Sequence, residues 1–192
     1  MTDLVERIER NRFAGREFIL WLWFESETFE TNLRPSGGSP IALWIETRMT
    51  LTLEKDESVL KSAAPAASPE AKEALRQGKL PKEAKFRLSN GEHEFAFLFK
   101  GDTLGMSSVS VPAELKDKGD EVYEVFYERA RLLEELEAII EALYNDFLTL
   151  RLSDGWNKEI VPFLKRFANE KRADDGAYLQ VKKRLLSKKS KR

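Results

Sequence analysis

The apolar positions along the chain follow two rhythms, one helical and one strand-like. From 3 to 31 the spacing is helical: Leu4, Ile8, Phe18, Leu22 and Phe29 fall roughly on one stripe, with charges between them. Gly15 disfavours that helix by about 1 kcal/mol and marks a place where it can break. Arg34 to Pro40 is a loop rich in Pro, Gly and Ser. From Ile41 to Glu54 the rhythm changes to alternation. Ile41, Leu43 and Ile45, then Met49, Leu51 and Leu53, alternate with Ala42, Trp44 and Glu46, then Thr50, Thr52 and Glu54. This predicts a strand whose odd-numbered residues share one face.

After a connector at Ala63–Ala67, Ser68-Pro69-Glu70 has the make-up of a helix start. Serine caps the free N–H groups, proline fits the first helical position, and the acid suits the positive end of the helix. Gly78 is its stop. Phe86–Ser89 then runs into Asn90-Gly91, a hairpin signal, and a return strand over Glu92–Lys100 puts Phe95, Phe97 and Phe99 on one face. Gly101-Asp102 turns the chain into a third strand over 103–111.

The longest pattern covers 120–150. Val122, Phe126, Leu133, Leu136, Ile140, Leu143, Phe147 and Leu150 form a seam interrupted only by Arg129. It predicts a helix about 45 Å long. Such a seam either packs into the chain's own core or pairs with another copy, which makes Phe126, Leu133, Leu136, Ile140, Leu143 and Phe147 candidate interface residues. Asp154-Gly155 breaks the helix. A helix over 157–172, with Pro162 inside it, and a last one over Tyr178–Leu186 follow, with fraying expected over 187–192. The expected fold class is α+β, long helices packed with a small antiparallel β-meander. Three segments are expected: a helical 1–33, an α+β core at 41–153, and a helical 154–192 with a basic end.

Composition narrows the chemistry. The 192 residues include no cysteine and one histidine, His93. That excludes a disulfide scaffold, thiolate zinc, iron–sulfur clusters, a catalytic thiol, and any metal site built on two histidines of one chain. The longest apolar run, Phe18 to Phe24, is seven residues; a membrane span needs about 20. The first 17 residues mix acids and bases, unlike a signal peptide. A cytoplasmic protein without a membrane partner is expected.

A formal net charge of −1 conceals a strong polarity. Residues 158–192 carry twelve bases and four acids, so +8, which leaves −9 on 1–157; 120–150 alone holds nine acids and two bases. Between Tyr178 and Arg192 there are seven bases (Lys182, Lys183, Arg184, Lys188, Lys189, Lys191 and Arg192) and no acid. Such a run either solubilises the chain or neutralises phosphates by counterion release, which gives affinity without base preference. No helix-turn-helix or zinc-finger pattern accompanies it.

Catalytic patterns are weak. His93 sits between Glu92 and Glu94, whose side chains point to the opposite face if the segment is a strand, so the three form no ligand set. A hairpin surface role is expected. Walker A, Gly-x-Gly-x-x-Gly and Gly-x-Ser-x-Gly sequences are missing. Glu83-Ala84-Lys85 has the Glu-x-Lys spacing of metal-dependent nucleases, with Asp56 or Asp102 as a second acid. Phe18, Trp21, Trp23 and Phe24 suit base stacking in principle, but their clustering on one helix predicts core or interface. No catalytic residue, metal ligand or cofactor is assigned.

The segment Arg16-Glu17-Phe18-Ile19-Leu20-Trp21-Leu22-Trp23-Phe24-Glu25-Ser26-Glu27 resembles a Phe-Leu-x-Trp-Leu-Trp segment of RdgC-family proteins, the recombination-associated DNA-binding proteins of bacteria. Thr50-Leu51-Thr52-Leu53 follows as a strand. Ser68 to Lys79 is similar to that family's short helix ending in Gly-Lys, and the hairpin and acidic helix come in the same order. The likeness covers about 18–150. The family's N-terminal half, which helps close a ring-shaped dimer around duplex DNA, has no counterpart in these residues, and the segment beyond Asp154 is additional. The resemblance implies a non-enzymatic, sequence-independent binder of duplex DNA that dimerises and restrains recombinase loading, with Lys79 facing DNA. A protein-interaction module built on the 122–150 seam is the alternative, and a divalent-metal nuclease the third.

Overall fold

The computed structural model describes residues 4–29, 32–115, 121–169 and 175–187; for 4–13 and 175 it describes the backbone alone. Its centre is the helix α1 (Leu4–Phe29). A helix that is apolar on every side must be enclosed, and Phe18, Ile19, Trp21, Leu22, Trp23 and Phe24 are all fully buried. A five-stranded sheet covers one side of α1, and three further helices cover the other.

The sheet is antiparallel throughout. β1 (Ala42–Leu53), β2 (Asp56–Leu60), β3 (Leu80–Ser89), β4 (Glu94–Lys100) and β5 (Gly105–Ser110) lie in the order β2-β1-β3-β4-β5. Leu43, Ile45, Met49 and Leu51 of β1, Ala84, Phe86 and Leu88 of β3, and Phe95, Phe97 and Phe99 of β4 form the buried face. The alternation expected in β1 survives a bulge. Thr47 has φ 54, and the pairing to β3 shifts between Ile45 and Met49. The inserted length is even, so the odd-numbered residues keep one face up to Leu51. Leu53, at the exposed end, leaves it at 47% exposure.

Between β2 and β3 lies α2 (Pro69–Arg76), capped as its sequence dictates. Ser68 Oγ accepts the Ala71 N–H at 3.2 Å. Gly78 takes φ 87, while its own N–H and that of Lys79 return to the carbonyls of Leu75 and Ala74. The hairpin signal is correct in place but not in length. β3 and β4 are joined by four residues, with Ser89 paired to Glu94, so His93 stands in the loop rather than on a strand.

α3 (Val122–Arg151) packs on α1 through its C-terminal part, with Phe18 against Tyr144 and Phe147, and Arg151 against Glu17. After it, Trp156–Ile160 winds as a π-helical turn, in which the Val161 N–H reaches back to the Trp156 carbonyl. The widened turn relieves the clash that Pro162 otherwise makes with the carbonyl four residues earlier. The expected 157–172 helix therefore begins as α4 (Val161–Ala168) only after that turn, and 170–172 lie outside the described residues. α5 (Asp175–Ser187) closes the chain and contributes Tyr178 and Leu185 to the core. One hydrophobic cluster thus draws residues from all three expected segments, from Phe18 to Leu185. The expected fraying over 187–192 lies, beyond Ser187, outside the described residues.

Gly15 is not a break. α1 continues through it and presses on the β4–β5 turn; a Cβ there lies 1.9 Å from the Gly101 carbonyl oxygen. Helix propensity alone makes Gly15→Ala stabilising by about 1 kcal/mol. The backbone contact reverses the sign, and a net destabilisation of about 2 kcal/mol is expected in urea unfolding.

Candidate functional site

The 122–150 seam splits in two. Leu136, Ile140, Leu143 and Phe147 lie in the chain's own core and cannot meet a partner without unfolding it. Phe126 and Leu133 are exposed at 65% and 38%, and Val125 and Leu132 take the buried places instead. A strict 3.5-residue repeat holds only in a supercoiled pair. On a straight helix it drifts by about 20° per heptad. Traced back from Phe147, the buried positions become 143, 140, 136, 132 and 125, and the three seam residues nearest the N-terminus, Val122, Phe126 and Leu133, rotate outward.

That rotation leaves an apolar ridge on the first two turns of α3. Val122, Tyr123, Phe126 and Tyr127 are 65–78% exposed, and the rings of Phe126 and Tyr127 lie 5.8 Å apart, edge to face. The ridge is held in place from behind. Val125 is buried, and Glu128 accepts the backbone N–H groups of Glu114 and Leu115 at 2.9 and 3.1 Å. One loop further along, the β3–β4 hairpin clamps α3. His93 Nδ1 lies 3.0 and 3.1 Å from the two Glu135 oxygens, and the Asn90 amide donates to the same carboxylate. Sequence reasoning missed Tyr123 and Tyr127. Their signal was an apolar excess beside the seam, wider than one buried stripe requires.

The basic residues assigned to phosphate contact divide by burial. Lys79 is 6% exposed, its ammonium 2.7 Å from Asp56 and 2.8 Å from Ser58 Oγ. Lys182 is equally buried and donates to Glu25, itself fully buried, at 2.7 Å; it also lies 5.1 Å from the centre of the Trp21 ring. Tyr178 OH donates to the other Glu25 oxygen and accepts from Trp21 Nε1 at 3.0 Å. Burial, followed by the Glu25 charge, pushes that phenol well above its ordinary range. Arg184 pairs with Glu159, and Lys183 faces solvent. Lys188, Lys189, Lys191 and Arg192 lie outside the described residues. Lys79 and Lys182 are therefore buried and engaged by carboxylates, internal ties rather than the exposed basic contacts expected of them. The signal was available for Lys182: Tyr178, Lys182 and Leu185 share one helical face, and that face is the buried one.

The open face of the sheet is laced with ion pairs. Glu46 accepts from Arg87 at 2.8 Å and lies 3.3 Å from Lys85; these hydrogen bonds, Arg87 first, hold its carboxyl below the usual range. Arg87 also meets Glu94, and Arg48 meets Glu83. The residues of the nuclease reading are thereby separated. Glu83 pairs with Arg48, Lys85 with Glu46, Asp56 with Lys79, and Asp102 with Arg16 at 2.7 Å. Among the described residues no three His, Cys, Asp or Glu side chains gather around a point that suits a metal. No described helix is long and apolar enough to cross a membrane.

Comparison with protein-family models, with curated proteins and with solved structures returns no match. The likeness to RdgC thus stands on the quoted residues alone.

Lys182 and Lys183 are adjacent bases with opposite duties. Lys182→Ala strands the buried Glu25 carboxylate and is expected to cost about 3 kcal/mol. Lys183→Ala leaves the urea midpoint unchanged. Equal effects in the two unfolding curves contradict the assignment.

Proposed function

We propose that this chain is an assembly module, and that its docking element, the first two turns of α3, pairs with the same turns of a second copy. The observation that carries the reading is the exposed ridge of Val122, Tyr123, Phe126 and Tyr127 on a helix whose remaining apolar face is core. A two-fold pairing uses one patch twice. With antiparallel helices centred between Tyr127 and Glu128, Val122 of one copy faces Leu133 of the other, and Glu124 faces Arg131. Apolar thus meets apolar, and acid meets base. Four side chains so exposed present on the order of 500 Å² per copy, and the pair buries about 1,000 Å², the lower bound of a specific interface. A moderate, concentration-dependent dimer is the expected state.

Sedimentation velocity tests this directly. The full chain is expected to shift from monomer to dimer across the micromolar range, and Phe126→Glu with Tyr127→Glu to stay monomeric with an unchanged circular dichroism spectrum. A wild-type chain that stays monomeric throughout that range refutes the reading.

A second reading rests on the basic end. Lys183 is exposed on α5 and leads into the bases at 188, 189, 191 and 192. We propose that these residues give sequence-independent contact with duplex DNA, as the RdgC likeness implies, on a chain otherwise acidic enough to repel it. Binding is expected in a gel shift at low ionic strength. It weakens with added salt, and weakens again when 188–192 are removed and Lys183 is changed to Ala. Lack of binding at low salt, or binding indifferent to those changes, rejects it.

A further inference from the structure

At the opposite end of α3 a cavity of about 210 Å³ opens between α1, the α2–β3 turn, the π-helical turn and α4. Leu20, Leu75, Leu80, Trp156, Val161 and Leu164 make its walls apolar. Three charged residues also line it, and two are already committed. Glu17 accepts from Arg151 Nε at 2.5 Å, and Lys79 turns its ammonium away to Asp56 and Ser58. Lys165, exposed on α4, forms no ion pair among the described residues. The cavity therefore offers an apolar interior and one cation free to take an anion. Its shape follows from the backbone. The π-helical turn sets Trp156 into one wall, and at Gly78, on another, an added Cβ would meet nothing within 4 Å. An apolar cavity of about 150 Å³ is enough to hold benzene, so this one has room for a longer apolar body.

We propose that the cavity binds a small amphipathic carboxylic acid, with its apolar body among the leucines and Trp156 and its carboxylate on Lys165. The apolar walls supply affinity in proportion to the chain buried, and the lysine supplies the preference for an anion over a neutral molecule of the same length. The ridge on α3 plays no part, being separated from Arg151 by about 36 Å of helix.

Isothermal titration of the full chain with linear carboxylates from butanoate to octanoate, and with octanol, tests the proposal. Affinity is expected to rise about fourfold per methylene, the factor that corresponds to about 0.8 kcal/mol per buried CH₂. Lys165→Gln is expected to weaken octanoate at least tenfold and leave octanol unaffected. Leu75→Trp, which fills the mouth from its partly exposed rim, is expected to abolish binding of both. Flat chain-length dependence, equal affinity for octanoate and octanol in the wild type, or full octanoate affinity in either variant overturns the proposal. If Leu75→Trp does not fold, the surface change at Lys165 still decides it. Titrating the monomeric Phe126→Glu, Tyr127→Glu chain separates this result from the assembly reading.

Discussion

The whole structure follows from the need to enclose Phe18–Phe24. An amphipathic helix asks for one neighbour, but a helix with Phe18, Trp21, Leu22 and Trp23 around its full circumference asks for layers on both sides. The sheet provides one, with β1, β3 and β4 turning their apolar residues inward. The C-terminal part of α3, together with α4 and α5, provides the other. Enclosure also buries polar atoms, and each needs a partner. Trp21 Nε1 finds Tyr178, Trp23 Nε1 finds Glu27, and Glu25 finds both Tyr178 and Lys182. The bonds to Tyr178 and Lys182 span more than 150 residues of sequence and tie α5 to α1. They also make Lys182, a member of the most basic stretch, an internal residue.

Much of the fold was legible because it rests on local chemistry. The helix boundaries at Ser68 and Gly78, the β1 alternation, the phenylalanine face of β4 and the span of α3 all follow from residue type and spacing. What escaped has physical causes. β2 is an edge strand whose Asp-Glu-Ser-Val-Leu carries no apolar alternation, so its pairing with β1 comes from the tight turn at Glu54, φ 54. The extra loop residues at His93 follow from Asn90, whose side chain accepts the N–H groups of Glu92 and His93 and lengthens the turn. The π-helical turn depends on Pro162 meeting a helix start, a conflict whose outcome no periodicity encodes.

The candidate site was legible in type and not in place. Spacing found the seam of α3, but a seam has a register only relative to what it packs on. Packing on the chain's own core moved the buried stripe to Val125 and Leu132 and freed Phe126. Charge counting found the basic end, but it is blind to burial, and burial removed Lys182 from the surface. The aromatic residues at the start of α3 gave a weak sequence signal and form an exposed apolar cluster among the described residues.

Stability does not explain that ridge. A short helix without tertiary support is marginal in water, and the first turns of α3 draw their support from Val125 and Glu128, on the side away from Phe126 and Tyr127. Polar residues at 122, 123, 126 and 127 would serve that arrangement as well and would keep water off no less core. Four large side chains held in solvent on a tethered helix are therefore a feature that the fold does not need and that the proposed pairing would use. Tyrosine sharpens the point. It remains soluble when uncovered, because its hydroxyl stays hydrated, and it offers a broad apolar ring when covered. The proposed pairing asks for a surface tolerable in the free chain and adhesive in the pair, and two tyrosines flanking Phe126 meet that requirement.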